Sequence, residues 1–170
     1  MAKIDMTTGK PPITRNHLSQ FPSTQGKLNL RLSLLIGLIL TTLTGHAEVI
    51  HDGSLGPATT LPGPHFDIRA DSGKPVGNNL YHSFHSFNLN PNESATFSGP
   101  AHTENVISRV TGGTLSNIDG TVKLTDMPKA NFYFINPAGI IFGEHAKLDL
   151  PAAAHFSTAS TLRLQDGGNF

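Results

Sequence analysis

The sequence contains no cysteine and no tryptophan. The absence of cysteine excludes disulfides, thiolate metal sites and cysteine nucleophiles. Net charge is +0, with 12 Lys/Arg against 12 Asp/Glu, so no global basic excess points to nucleic acid. Only 7% of residues are aromatic. Neither a Gly-x-Ser-x-Gly nucleophile motif, nor a phosphate loop, nor a two-histidine metal motif occurs. Asp119, Asp126, Glu144 and Asp149 are scattered, and three of them sit beside turns. Catalysis by clustered carboxylates is therefore not expected, and the chain reads as non-enzymatic.

No apolar run reaches the roughly 20 residues that a membrane span needs. The longest, Leu32–Leu43, follows Lys27 and Arg31 and precedes the small residues Gly45 and Ala47. That is the layout of a secretory signal with cleavage after Ala47. Charge supports it. Residues 1–47 carry five Lys/Arg and one acid, whereas the remainder carries seven basic and eleven acidic residues. The expected organisation is an extended N-terminal region and signal peptide over 1–47, then one domain over 48–170.

What is abundant is punctuation. Gly 17 and Pro 12 favour a turn-rich, all-β domain. Its densest apolar stretch is Asn131–Gly143, two runs (132–135 and 140–142) around an Asn-Pro-Ala-Gly turn. Pro fixes φ and Gly accepts positive φ, so the turn has a mechanism. Neither run alternates cleanly, and both are expected in the core. Residues 79–89 read as a strand. Leu80, His82, Phe84 and Ser86 are placed on one face, and Tyr81, Ser83, His85 and Phe87 on the other. His82 and His85 then point apart, with no third ligand at metal spacing, so neither a metal nor any other cofactor is expected.

Short strands are also expected at 48–50, 65–69, 95–98, 114–118, 121–124, 147–150, 153–158 and 161–164. Asp119-Gly120 is either a hairpin turn or a corner between strands that do not pair. Strand-like runs starting at Asn105, Asn131 and Ala154 lie roughly 25 residues apart, with two shorter runs between each pair. Three short strands per period is the pattern of a parallel β-helix, in which each coil buries its inward face on its neighbours. A β-sandwich is the structural alternative.

Four segments now carry a resemblance. They are Gly77–Phe84, Asn105–Gly113 (Asn-Val-Ile-Ser-Arg-Val-Thr-Gly-Gly), Ser116–Gly120 (Ser-Asn-Ile-Asp-Gly) and Asn131–Gly143. In this order they resemble the N-terminal secretion (TPS) domain of filamentous haemagglutinin-like proteins of two-partner secretion. The resemblance implies a right-handed parallel β-helix, a single-stranded pectin-lyase-like solenoid with N-terminal capping strands. It implies Sec-dependent export to the periplasm of a Gram-negative bacterium. There, the periplasmic domains of an Omp85-type outer-membrane transporter would receive the chain and pass it to the surface or medium.

The family's Asn-Pro-Asn-Gly-Ile motif maps onto Asn136, Pro137, Ala138, Gly139 and Ile140, with Ala138 in place of the second Asn. A second motif, Asn-Pro-Asn-Leu, has no counterpart. Ser116–Gly120 stands in its region, as in the branch lacking it. Candidate transporter-recognition residues are thus Asn136, Pro137, Gly139, Ile140, Asn117, Asp119 and Gly120. Such proteins usually continue into long repeats, so the solenoid is expected to be truncated at Phe170. The alternative function is a stand-alone carbohydrate-binding or adhesive β-helix, with a host or cell-surface glycan or receptor as partner.

Overall fold

The computed structural model describes residues 47–163 and Phe170. The expected leader, up to His46, lies outside the described residues. From Ala47 onward, almost every element is a short strand separated from the next by a Gly-, Pro- or Asn-containing corner. The strands are β1 (Val49–His51), β2 (Thr59–Thr60), β3 (His65–Arg69), β4 (Lys74–Val76), β5 (Asn79–Phe87), β6 (Ser94–Ser98) and β7 (Asn105–Val110). They continue with β8 (Ser116–Ile118), β9 (Thr121–Thr125), β10 (Asn131–Ile135), β11 (Ile140–Phe142), β12 (Lys147–Asp149) and β13 (Ala154–Ser157). One 3-10 turn, Ala70–Ser72, precedes β4.

Strands adjacent in sequence do not pair within a coil. Each pairs in parallel with its equivalent one coil away. Sheet A runs β5, β7, β10, β13; sheet B runs β3, β6, β9, β12; sheet C holds β8 and β11. Leu89 extends sheet C by a parallel bridge to Ile118. This is a parallel β-helix of three-stranded coils, and a sandwich is excluded. Asp119-Gly120 is the corner between β8 and β9. At the N-terminal end, β1 and β4 pair antiparallel with β5, and β2 pairs antiparallel with β1. These strands cap the stack.

Stacking turns the period into a core. On sheet A, His82, Ser108, Phe134 and Phe156 occupy one inward row. On sheet B, Phe66, Ala95, Val122 and Leu148 occupy another. Phe84, Phe87, Phe97, Phe132 and Phe134 are fully buried and meet with centroids 4.9 to 6.3 Å apart. Offset and edge-on contacts at such distances stabilise beyond area burial.

Polar ladders fix the corners. Asn79, Asn105 and Asn131 stack in register. Asn105 donates Nδ2 to Asn79 Oδ1 at 2.8 Å, and Asn131 donates to Asn105 Oδ1 at 3.2 Å. The Ala153 N–H reaches Asn131 Oδ1 at 3.3 Å. Each Asn thus satisfies the next, which sets the coil length at 26 residues for these turns.

Three expectations are corrected. Phe87 packs inward with Phe84, 5.2 Å away, not on the opposite face. The cause is a bulge: Ile50 faces Ser86 while His51 faces Phe84, so His85 is skipped and the alternation shifts. Next, the run 140–142 reaches the core only at Ile140, which packs half-buried against it. Ile141 and Phe142 are 51% and 44% exposed. Among the described residues β11 is the last strand of sheet C, so no further coil covers it. Phe142 follows Leu89 and Ile118 along one row, yet only those two are buried. Lastly, Thr161 and Leu162 form no strand, and Leu164 lies outside the described residues. Leu162 instead exchanges two backbone hydrogen bonds with Phe170. Phe170 finds its partners on earlier coils, against Tyr81 and under Arg109.

Candidate functional site

The two short motifs singled out in the sequence are neighbours in space. β8 and β11 pair in parallel, with Ser116 opposite Ile140, Asn117 opposite Ile141 and Ile118 opposite Phe142. Ser116–Gly120 and Asn136–Gly143 are therefore successive rungs of sheet C. Their residues divide into those turned inward and those left on the surface.

Asn136 is inward, 1% exposed. Its Nδ2 donates to Thr114 O at 3.0 Å and Ser116 Oγ at 2.9 Å, and its Oδ1 accepts the Ala138 N–H at 2.9 Å. One amide thus closes its own turn and ties it to the coil below, the self-turning habit of Asn at corners. The Gly139 N–H returns to Asn136 O, and Gly139 O accepts the Ser116 N–H. The family's second Asn, here Ala138, stands at an exposed position, so the turn is held without it.

Asp119 and Gly120 join the same rungs at the next corner. Asp119 Oδ1 accepts the His145 N–H at 2.8 Å, and both carboxylate oxygens lie 3.3 Å from His145 Nδ1. The His145 backbone bond holds the Asp119 carboxyl below its usual range. Gly120 is buried. Asp149, by contrast, pairs with Lys123 at 3.4 Å. These carboxylates are fasteners between coils.

The outward face of sheet C is what remains. Leu115 is 47% exposed and lies beside Gly139. Asn117, Pro137 and Ile141 are exposed too. Asn117 is held by its main chain, its N–H donating to Asn88 Oδ1 at 2.9 Å. Of the seven candidate residues, Pro137 and Asn117 lie on the surface. Ile140 and Gly139 are half-buried, while Asn136 and Gly120 are internal and Asp119 is engaged with His145. Ala47, the expected cleavage residue, packs against the core just before β1.

One cluster had no counterpart in the sequence reading. Asp52 accepts Ser83 Oγ at 2.6 Å, Thr111 Oγ1 at 2.8 Å and the Ser54 N–H at 2.8 Å. Arg109 donates Nε to Ser83 Oγ at 2.9 Å and lies 4.4 Å over the Phe170 ring. Burial raises the Asp52 carboxyl, but the Ser83, Ser54 and Thr111 hydrogen bonds outweigh it and bring it to about 2. Asp52 thus pins the cap to two coils. It escaped sequence reading because its partners are 31 and 59 residues away. The Asn ladder escaped it too, although the recurrence of Asn at a 26-residue spacing was there to find. His82 and His85 do point apart, the first fully buried and the second exposed. Among the described residues, no group of three or more His, Asp or Glu is placed to hold a metal ion.

The Gly139 turn is directly testable. Its φ is +125°, a region that L side chains rarely adopt. Gly139→Val is expected to cost about 2 kcal/mol, although the nearest neighbour, Leu115 Cβ, leaves room. Ala138→Asn, at an exposed site, is expected to leave the melting temperature within a degree or two. Equal melting of both variants would remove the φ constraint from the account.

A family model described as the TPS secretion domain matches residues 47–170. A heme/hemopexin-binding protein of Haemophilus influenzae is 29% identical over 150 residues, covering 82% of this chain. The chain spans 15% of the length of that curated relative.

Proposed function

Because the chain belongs to the TPS secretion-domain family, we propose that residues 48–170 present sheet C and its corners to the periplasmic domains of an Omp85-type transporter. A domain of this family is the targeting module of a two-partner secretion exoprotein. The carrying observation is the stacking of Ser116–Gly120 on Asn136–Gly143 in one register. Their polar groups are consumed in holding the rungs, while Leu115, Asn117, Pro137 and Ile141 are left on one outer face. Among the described residues, no further strand pairs with the outer edges of β11, β12 and β13, and their backbone donors and acceptors suit strand addition by a receptor.

Recognition of this kind needs edges and apolar side chains, not catalytic groups. The module is read as non-enzymatic, since Asp119 and Asp149 are engaged in holding coils together. The passenger is read as an adhesin- or haemagglutinin-like exoprotein, delivered through the periplasm to the surface or medium. The leader reading belongs with this proposal: Sec export, then scission after Ala47. Glu48, the first residue after the expected scission, is held in the fold, its O accepting the Asn88 N–H.

The test is export from cells carrying the cognate transporter, with the chain fused to a reporter. The double variant Leu115→Asp, Ile141→Asp is expected to export at least about tenfold less while melting as wild type, because both side chains are exposed. Exported wild type is expected to begin at Glu48. Undiminished export of a folded double variant would remove this face from recognition, and a retained leader would remove the scission.

A further inference from the structure

The N-terminal end of the stack closes over a polar pair that export does not use. His82 projects inward from β5 and is fully buried. His51, from the cap strand β1, lies beside it with ring centroids 6.2 Å apart. It stacks on Phe84 at 4.9 Å. Ser108 stands opposite His82 on the next coil. Among the described residues, four buried atoms here have no hydrogen-bond partner: His51 Nε2, His82 Nδ1, His82 Nε2 and Ser108 Oγ. Buried polar atoms are normally satisfied, so such a cluster calls for a physical reason.

The surroundings of His82 are apolar or neutral. From β6 it meets Phe97 edge-on at 5.5 Å. From β7, Ser108 stands opposite it in register. Beside the 3-10 turn, Gly73 approaches so closely that a Cβ there would lie 2.7 Å from the imidazole. His51, from β1, is the one titratable group among these neighbours. The charge acting on His51 is Asp52, which its hydrogen bonds keep ionised to about pH 2. A protonated His82 would thus have no anion against it and no exposure to bulk solvent.

The element that closes over the pair is β1. It is three residues long, and the rest of the stack does not depend on it for parallel pairing. Its ties to the first coil include Asn88 N–H to Glu48 O and Asp52 N–H to Ser83 O.

We propose that His51 and His82 form an acid-released latch. At neutral pH both are uncharged and β1 is shut over the end of the core. On acidification, protonation drives His51 and its strand outward, uncovering the edge of β5. Burial lowers both imidazoles, His82 to about 3 with the neighbouring His51 adding to the effect. For His51, the Ser83 backbone bond and Asp52 partly oppose burial. Since the closed-state values lie below the free value of about 6.5, closure is at full strength above pH ~6.5. It weakens as pH falls from there towards about 3.

The test is hydrogen exchange on the full chain at pH 7.5 and 4.5, corrected for intrinsic rates. Between these values, an imidazole that is free in the open state and suppressed in the closed state raises opening by about 100-fold. The Asp52 and Asn88 amides are expected to lose protection by that factor, while Phe134 on β10 keeps its own. His82→Phe is expected to abolish most of the loss. Should that variant not fold, His51→Leu serves. Asp52→Asn is expected to retain the pH response. Unchanged cap protection at pH 4.5, an equal loss throughout β10, or a response that survives both histidine substitutions would overturn the latch.

Discussion

Gly120→Ala is expected to cost about 3 kcal/mol, among the largest effects of any single methyl group in this fold. The position looks ordinary in sequence, one half of an Asp-Gly pair. In the structure it is a point of contact between backbones. A Cβ on Gly120 would lie 2.5 Å from Glu93 O, 2.8 Å from Asn90 O and 3.1 Å from Leu89 Cβ. The first is a carbonyl already committed, since it accepts the Thr121 N–H. The neighbour is main chain and cannot swing aside as a side-chain tip would. To admit the methyl group, the corner between β8 and β9 must lift off the coil below. That strains the rungs on both sides, because Gly120 O accepts the Lys147 N–H above.

Gly113→Ala is the informative comparison. Gly113 has positive φ (+76°) with nothing within 4 Å. It is expected to lose only about 1 kcal/mol, the conformational cost alone. Denaturant midpoints for both variants, at constant m-value, measure the difference. If Gly113→Ala were the worse of the two, coil-to-coil contact at Gly120 would not be the governing constraint.

Phe97→Ala is expected to cost about 4 kcal/mol. Phe97 sits at the crossing of the aromatic core, 5.1 Å from Phe132, 5.5 Å from His82 and 6.3 Å from Phe84 and Phe87. Truncation leaves a cavity walled by strands of sheets A and B, whose positions are fixed by parallel pairing to other coils. Such walls cannot collapse inward, so most of the cavity persists. Phe142→Ala provides the contrast on the same type of row. Phe142 is 44% exposed and touches Phe156 at 4.9 Å, and it is expected to lose about 1 kcal/mol. Similar losses for the two variants, read from urea unfolding, would mean that the core does not grade from a closed interior to an open end.

The contrast between these two phenylalanines separates what each level of description controls. Sequence by itself determined that the chain is β and that its strands recur every 25 or so residues, whereas parallel pairing from coil to coil decided for the β-helix over the sandwich. Those properties are local: Gly and Pro at corners, aromatic and β-branched residues between them, and a repeat visible along one dimension. The four motifs in order were likewise enough to reach the family. The candidate residues Asn136, Gly139, Asp119 and Gly120 were legible as corners for the same reason.

Tertiary structure alone decided which way each of them faces and what each is for. Asn136 is an internal fastener and Pro137, one residue on, is surface. Gly120 is glycine for lack of room, whereas Gly139 is glycine for its φ. Phe132 is core while Phe142, in a run of equal hydrophobicity, is half-exposed. Asp52 anchors the cap through Ser83 and Thr111, and His51 meets His82 across an antiparallel pairing interrupted by a bulge. None of these follows from periodicity, because burial in a solenoid depends on the coils above and below. That stacking brings together residues a full turn or more apart, where local propensity carries no information.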